Sequence, residues 1–576
     1  MFCYLSRGRV ALLMGLLVSP LASAQTTELA TQSAYLRKSI TTLDSVWIQP
    51  LAIDRRVSFN LEMLERLIRF YVHIPRFDYS ELDPALTEEF RRQANALADI
   101  TPQALAQVIE RTLAADLLAV LNDPEVQAAR RDALVTEADR QRFASVKARS
   151  LGLTDSQLTL LLNSSYFYLP YLTAVTLEQD RDTNVFRASV SGGILWYRLR
   201  VDPNTGATAI DLLASASSGG IAVGDPEREL HKLFVFGEEV RRVTAAQYAL
   251  LNAARALSRN LGTLTKALGD FQLTAQVVEA VGRAYRFPLG NREGVRLDDG
   301  FHLVEFVEGA AGVRQQRVGY VRVVDPADNA HDAAALSQAV QMIGTRQPVG
   351  TTLIENPVSG IDLRLRPHLR GGFDIPVAQT SLPSLSGSVL AEPAMTAIGV
   401  DVVFSYNLAP LLGVSQLFLN ADASASLLLA ETSTSTSFTP YLLESYLSAT
   451  KKFWLGPVNA QVTAGAGVHS LELHGQFLGA AISWSRRNLG VKAELDVELM
   501  LTANVHLHAG AGYRFDLGPI GSQLEIDGVA SSFSTPGNAA MNLSGWTLRA
   551  GVNLQLKQLP FNLFGFLDAI PGLFST

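Results

Sequence analysis

The chain has 576 residues, a formal net charge of −7 and a single cysteine. This length allows about three domains of ~150 residues each. The mild charge gives no reason to expect nucleic acid as a partner, and one thiol excludes a disulfide framework.

The first 24 residues have the order of a secretory signal. Arg7 and Arg9 precede an apolar run over 10–18, and small residues follow up to Ala24. This order predicts cleavage after Ala24, which also removes Cys3. A large exported chain without cysteine fits a bacterial envelope better than a disulfide-stapled secreted protein.

Residues 25–175 are predicted to form a helical periplasmic domain. Apolar residues recur at helical spacing in two stripes, one over 61–71 and one over 105–121. Both stripes are interpreted as faces that pack in a core.

The pattern changes to mixed strand and helix over 176–276, which is predicted to be an α/β periplasmic domain. A strand over 186–201 is followed by the turn Asp202–Gly206, a second strand over 207–216 and a helix over 245–261. Residues 277–357 are predicted to form a small β-barrel domain with strands over 301–307 and 318–324.

The region 184–355 resembles the periplasmic part of CsgG-like and flagellar-assembly-T-like proteins. The resemblance rests on the Val-Asp-Pro-Asn-Thr-Gly turn, the alanine-rich helix after it, and the Asp298-Asp299-Gly300 entry to the later strands. It implies a role in envelope assembly or secretion, and it carries over no catalytic residue.

Residues 361–557 contain eight segments in which apolar and polar residues alternate. In 489–501 every odd position is apolar, whereas Lys492, Glu494, Asp496 and Glu498 lie between them. The connections after the second, fourth and sixth segments are short, over roughly 408–412, 451–457 and 502–504. They alternate with longer connections over roughly 376–395, 430–438, 470–488 and 518–542. This arrangement predicts an eight-stranded antiparallel transmembrane β-barrel with short periplasmic turns and long outer loops.

The alternative is a soluble β-sandwich, which also alternates apolar and polar residues. The regularity of the eight segments and the alternating connection lengths favour the barrel. In its pattern the region resembles the OmpA-type class of eight-stranded outer-membrane barrels. No apolar run after the signal approaches the ~20 residues of a spanning helix.

An eight-stranded barrel has an interior just wide enough for side chains. The polar faces of the predicted strands therefore predict a charge network in the lumen, interpreted as a structural plug in which the arginines of the first strand pair with the acids. A proton or ion path that includes His368, His506 and His508 is the alternative. The predicted network consists of Arg364, Arg366, Arg370, Asp401, Asp422, Lys492, Glu494, Asp496, Glu498, Arg514 and Arg549.

An apolar tail over 558–576 is predicted to lie at the membrane interface or on the soluble domains. The sequence contains no Gly-x-Ser-x-Gly, no phosphate-binding glycine loop and no His-Glu-x-x-His. No catalytic, cofactor or metal residue is therefore predicted.

Together these patterns predict a non-catalytic protein of the bacterial outer membrane that anchors a periplasmic module. Its expected partners are outer-membrane lipid and other envelope proteins that bind the periplasmic domains, and no nucleic acid. Two alternatives are a secretion or transport conduit and a soluble periplasmic binding protein with a C-terminal sandwich.

Overall fold

The structure is a computed structural model. It describes residues 38–42, 47–48, 61–80, 84–97, 101–112, 164–201, 208–225, 231–235, 239–309, 312–332, 334–375, 392–429, 438–477, 480–526, 528–531 and 542–557. The predicted signal at 1–24, the later part of the second stripe, the turn at 202–206 and the tail at 558–576 lie outside these residues.

The N-terminal part is one sheet with helices on both faces. Its strands are β1 (Lys38–Thr42), β2 (Trp47–Ile48), β3 (Phe77–Ser80), β4 (Ser164–Gln179), β5 (Phe186–Val201) and β6 (Thr208–Gly224). Its helices are α1 (Leu61–Val72), α2 (Pro84–Asn95), α3 (Pro102–Arg111) and α4 (Ala245–Ala267). A separate hairpin joins β7 (His231–Val235) to β8 (Glu239–Val243).

Neighbouring residues of β5 enter two different cores, since successive strand side chains point to opposite faces. Trp196 packs with α1 and α4, whereas Tyr197 packs with α2 and α3, and both side chains are fully buried. The prediction of a separate helical domain over 25–175 is therefore corrected. Strands β1 and β3 join β4 in the same sheet, and the predicted boundary at 175 falls inside β4.

Helix α4 runs six residues further than predicted. At its start Thr244 and Gln247 exchange a reciprocal pair of hydrogen bonds between side chain and backbone, which satisfies two free N–H groups. At Gly262, where the sequence suggests an end, the helix backbone approaches the Tyr71 carbonyl of α1 so closely that a Cβ would clash. This glycine permits helix packing and does not end the helix.

The middle part is a seven-stranded sheet. Its strands are β9 (Thr274–Gln276), β10 (Glu279–Val281), β11 (Ala284–Phe287), β12 (Gly300–Gly309), β13 (Gly312–Asp325), β14 (Ser337–Gly344) and β15 (Thr352–Asn356). Strand β9 pairs with β15 at one end of the strand order, and β10 pairs with β11 at the other. Because β9 and β10 follow each other along the chain, the sheet curls back on itself around an apolar core. Residues 274–356 are called the small domain below.

The C-terminal part is a closed antiparallel barrel of eight strands, which confirms the predicted architecture. The strands are β16 (Ile361–Ile375), β17 (Glu392–Asn407), β18 (Leu417–Leu429), β19 (Phe438–Leu455), β20 (Val458–Phe477), β21 (Ala480–Met500), β22 (Val505–Ile526) and β24 (Gly545–Leu556). The first strand, β16, pairs with the last, β24, and β22 pairs with both β24 and β21. The short strand β23 (Val529–Ser531) pairs antiparallel with the end of β22, and the short helix α5 (Ala409–Leu412) lies in a turn.

One end of the barrel, called the short-turn end, carries the connections 408–416, 456–457 and 501–504, together with the points where the chain enters and leaves. At the opposite end the sequence predicted a loop over 470–488. Here β20 and β21 instead remain paired as far as Phe477 and Ala480. The strands β19 to β22 are therefore longer than the rest of the barrel wall.

Among the described residues, no helix is both long and apolar enough to cross a membrane.

Candidate functional site

The interior of the barrel holds all eleven charged residues named from the sequence. Each of their side chains lies on the inner face of its strand, and none is more than 8% exposed. A buried charge is tolerated only when it is paired and hydrogen-bonded. Ten of these side chains make contacts that fall into three layers along the barrel axis. Arg364 is buried among them, but its Nε and Nη2 make no hydrogen bond to the described residues.

The layer nearest the short-turn end is centred on Glu498. The Lys452 ammonium lies 3.3 Å from Glu498 and 3.2 Å from Asp362, so one cation serves two acids. Glu498 also contacts His506 Nδ1 at 2.7 Å, and it accepts hydrogen bonds from three side-chain amides. These amides belong to Asn459, Gln461 and Asn553.

The middle layer links acids on three strands. Arg366 lies 3.2 Å from Asp401 and 3.4 Å from Glu494, while Arg549 donates to both carboxylate oxygens of Asp496 at 2.9 and 3.0 Å. Lys492 contacts Asp422 and lies 3.4 Å from Glu494. Only Glu494, of the three acids on β21, therefore meets an arginine of the first strand. The other two are paired with Arg549 and Lys452.

The third layer lies toward the opposite end. Glu444 of β19 contacts both Arg370 and Arg514, and Arg370 also donates to the backbone carbonyl of Leu543. Tyr446 and His469 are hydrogen-bonded to each other beside this pair of arginines. The fully buried Leu543 ties the connection before β24 to the lumen.

Three members of the network were missing from the sequence prediction, namely Asp362, Glu444 and Lys452. With them, seven cations and seven acids are buried on the inner face of the described barrel strands. Lys452 was missed because the sequence predicted a short connection over roughly 451–457, whereas β19 continues to Leu455. A strict count of alternate positions along β19 would have found it.

The outer face of the barrel is apolar. Of the 35 large hydrophobic side chains that are exposed in the described residues, 27 belong to the barrel and its short turns. On β21, for example, Leu495 is 66% exposed although its neighbours Glu494 and Asp496 are buried. The barrel is thus inverted relative to a soluble protein, in which apolar groups are inside and charges are outside.

The small domain covers the short-turn end. Asp298, in the left-handed region at φ 72°, accepts hydrogen bonds from the Ser415 hydroxyl at 2.6 Å, the Gln416 N–H at 2.6 Å and the Asn407 amide at 3.2 Å. All three donors lie in or beside the turn between β17 and β18. One carboxylate therefore attaches the small domain to this turn.

The other two turns are also contacted. The guanidinium of Arg322 stacks over the Trp454 ring at 4.3 Å, and Asn356 donates to Asn504 at 2.9 Å. Met342 and Met500 belong to one buried apolar cluster that spans the two parts. Every short turn of the barrel is thus held against the small domain.

A buried ion pair joins the small domain to the N-terminal part. Arg76 donates to both carboxylate oxygens of Glu355, at 2.7 Å for Nη2, and to the Phe271 carbonyl at 3.0 Å. Burial lowers the pKa of the nearby Lys266 and raises the pKa of Asp299 to about 6. The N-terminal part and the small domain therefore meet at a junction rich in partly desolvated charge.

The described residues contain no group of three or more His, Cys, Asp or Glu side chains that could hold a metal ion. His506 and His508, which share a strand face, are turned to separate acids, Glu498 at 2.7 Å and Asp496 at 4.0 Å.

No family model and no curated protein matches the chain. Among solved structures it is similar to Neisserial surface protein A at 18% identity, over 35% of this chain and 100% of that chain, with a TM-score of 0.22. It is also similar to the attachment invasion locus protein Ail of Yersinia pestis at 11% identity, over 34% and 99%, with a TM-score of 0.20. A major outer membrane protein from Thermus thermophilus matches at 16% identity, over 34% and 99%, with a TM-score of 0.22.

These sequence identities and TM-scores are too low to support an inference about activity, ligand or partner. The class of this chain is defined by its own geometry: a closed eight-stranded barrel with a charged interior and an apolar exterior.

Proposed function

We propose that this chain is a non-catalytic outer-membrane protein whose barrel anchors periplasmic domains in a fixed orientation. The short-turn end then faces the periplasm, and the long connections face outward. The observation that carries the proposal is the contact of the small domain with all three short turns.

The inverted barrel supports a membrane location. Each Å² of the apolar outer face that lipid removes from water stabilises the protein by about 25 cal/mol. A soluble periplasmic protein with a C-terminal sandwich would instead bury its apolar face between two sheets. That alternative is not favoured, because the eight strands form one closed sheet that buries its charges.

The filled lumen favours an anchor over a conduit. Three layers of paired charges occupy the interior, and the small domain lies across its periplasmic mouth. A single barrel of this kind offers a solute no continuous path. A conduit would need several copies, or a path through partner proteins.

Envelope fractionation tests the membrane location. We expect the exported chain in the outer-membrane fraction, with a band on cold gels that shifts on boiling as the barrel unfolds. Recovery wholly in the soluble periplasm would overturn the proposal.

Planar-bilayer recording separates the anchor from the conduit. We expect no steady conductance from the purified full-length chain, with a known porin as the positive control. Reproducible open channels from the full-length chain would favour the conduit. The resemblance of residues 184–355 to CsgG-like proteins remains a prediction, as does any role in assembly.

A further inference from the structure

The side of the small domain that meets the barrel is wider than the contact itself. Val340 of β14 packs on the buried cluster that includes Met500 of the barrel, so its side of the sheet is called the barrel-facing side below. In the ladder Val340 lies opposite Ala284 of β11, and Ala284 lies opposite Val281 of β10. Side chains of directly paired residues share a face of the sheet. Val281 is therefore on the barrel-facing side, two strands outward from the contact with the barrel.

The turn after Val281 lies beside the lipid-facing end of β19. Arg283, in this turn, donates to two backbone carbonyls of β14 at 3.2 Å each, and its guanidinium lies against Gly456 of the barrel. Leu455, the residue before Gly456, has the most exposed large hydrophobic side chain of the described residues at 84%, and Val281 follows at 75%. The two apolar side chains that are most open to water thus belong to neighbouring turns at the foot of the barrel.

A two-stranded arm extends the small domain in another direction. Strands β12 and β13 stay paired after β15 leaves β12 at Val304 and β14 leaves β13 at Gly319. The paired segments beyond these points, 305–309 and 312–318, are called the arm below. An isolated two-stranded ribbon is at best marginally stable in water, so a surface on which the arm can lie would stabilise it.

One face of the arm continues the barrel-facing side. The ring of His302 lies 5.7 Å from the ring of Tyr320, which belongs to the buried cluster shared with the barrel. Strand side chains alternate between two faces, so Phe306 lies on the same face of β12 as His302. Phe306 is 48% exposed, and the exposed Arg317 shares its face because it lies opposite Val304 in the ladder. The arm therefore presents an aromatic ring and a guanidinium in the direction of the barrel.

From these positions we infer that the barrel-facing side of the small domain binds phospholipid of the periplasmic leaflet around the foot of the barrel. Val281 and Phe306 enter the boundary between headgroups and acyl chains, and Arg283 and Arg317 lie beside them to meet lipid phosphates. Apolar side chains next to basic ones are typical of contacts in the plane of a membrane interface. The occupant is phospholipid because the lipid that covers Leu455 also reaches Val281 at the neighbouring turn. The inference rests on the proposed function, since it requires the barrel to be in the membrane.

Fluorescence quenching of the full-length protein tests this contact. Single cysteines at Val281, Phe306 or Val307, in a C3S background, carry an environment-sensitive dye. The protein is inserted into vesicles of phosphatidylethanolamine and phosphatidylglycerol that contain spin-labelled lipid. We expect the dyes of V281C and F306C to lie about 5–10 Å into the interface, quenched by the lipid label and shielded from aqueous iodide. V307C, the matched control on the opposite face of the arm, should be quenched by iodide instead.

Charge reversal tests the phosphate contact. We expect R317E to lower the ratio of lipid-contacting to water-exposed dye at F306C by about fivefold, because one basic side chain near an anionic surface contributes about 1 kcal/mol. Arg314 lies opposite Val307 in the ladder, on the other face of the arm, so R314E is the matched control and should change the ratio much less. An R314E effect as large as that of R317E would overturn the assignment of this face to the membrane.

The same labelling at Leu495, on the outer face of β21, tests the membrane anchor separately. We expect L495C to be quenched by the lipid label, and the heat-dependent gel shift of each variant reports barrel folding. Lipid quenching of L495C together with iodide quenching of V281C and F306C would overturn the inference and leave the anchor intact. Shielding of V281C and F306C from both quenchers would also overturn it, because protein would then cover these positions. A folded L495C that lipid does not quench would overturn both proposals.

Discussion

The acids of the barrel interior are held by several donors each, and this redundancy sets the cost of removing one. Glu498 contacts an ammonium, an imidazole and three amides. Its loss would leave Lys452 with Asp362 as its remaining carboxylate partner. The amides of Asn459 and Gln461 would lose the acceptor described above, whereas the Asn553 amide would keep Asp362. Breaking a buried pair is expensive because the remaining charge stays desolvated.

We therefore expect Glu498→Leu to destabilise the barrel by about 3–5 kcal/mol. Glu498→Gln, which keeps the side-chain volume and one acceptor oxygen but not the charge, should cost less. Val497→Leu changes the adjacent exposed side chain and should be nearly neutral. The measurement is the urea midpoint of the heat-modifiable band in lipid vesicles, and equal midpoints for E498L and V497L would contradict the plug.

Acid should weaken the small domain through His302. Burial, with a smaller contribution from Arg317, lowers the pKa of this imidazole to about 4, whereas the unfolded chain titrates near 6.5. The unfolded state thus binds more protons than the folded state between these pH values. The contribution of His302 to stability is therefore fully present above pH 6.5 and is lost as pH falls toward 4.

At pH 4.5 the loss due to His302 should approach about 1–2 kcal/mol relative to pH 7.5, because the ring is only partly buried and solvent screens its charge. His302→Gln should remove this part of the pH dependence, and His331→Gln, at an exposed site, should leave it in place. Urea unfolding at both pH values measures it. If wild type and H302Q lose the same free energy of unfolding between pH 7.5 and pH 4.5, His302 is not the cause.

Sequence alternation identified the interior face of each barrel strand but not which charges pair. Alternation depends only on the strand period of two, so it survives errors in strand length. The partners of Asp496 and Glu498 depend on register and on barrel stagger, which no local pattern encodes. The predicted first-strand arginines were accordingly the partners of only one of the three acids.

At the scale of the strand, small residues on the inner face make room for the long charged side chains. Gly510 of β22 lies opposite Asp496 in the ladder, where a Cβ would overlap both that carboxylate and the Leu495 carbonyl. The adjacent Ala511 points outward and is exposed. The two residues are neighbours on one strand and differ mainly in whether they face the barrel interior or the outside.

We expect Gly510→Ala to cost about 1–3 kcal/mol, the usual range for overpacking, because the clash includes backbone that cannot rotate away. Ala511→Leu should be tolerated, since it adds apolar surface on the outer face. Folding yield into vesicles and the urea midpoint both report the difference. A tolerated G510A together with a harmful A511L would reverse the assignment of the two faces.

Element boundaries were harder to predict than element types. The helix after Thr244 and the strands β5 and β6 were found, whereas Gly262 and the segment 470–488 suggested ends that do not exist. In each case a tertiary contact or a neighbouring strand continues the element past a residue that locally favours a break. The sheet that unites β1, β3 and β4 was missed because its pairings are not local: β1 pairs with β3 about 40 residues away and with β4 more than 100 residues away.

At the scale of the whole molecule, the anchor proposal requires that the N-terminal part be held in a fixed position relative to the barrel. The Arg76–Glu355 ion pair is a buried contact between the N-terminal part and the small domain. We expect Glu355→Leu to cost about 3–5 kcal/mol, because the buried Arg76 would lose its carboxylate partner. The double variant R76M/E355L should recover part of this loss, since no charge then remains unpaired. Glu279→Leu breaks the exposed Arg286–Glu279 pair of the same domain and should cost no more than about 1 kcal/mol.

Limited proteolysis of the full-length protein in vesicles measures how tightly the N-terminal part is held to the small domain. E355L should be cut within 268–273, between the two parts, much faster than E279L or the wild type. Equal cleavage rates for all three would mean that the N-terminal part is held to the barrel by other contacts.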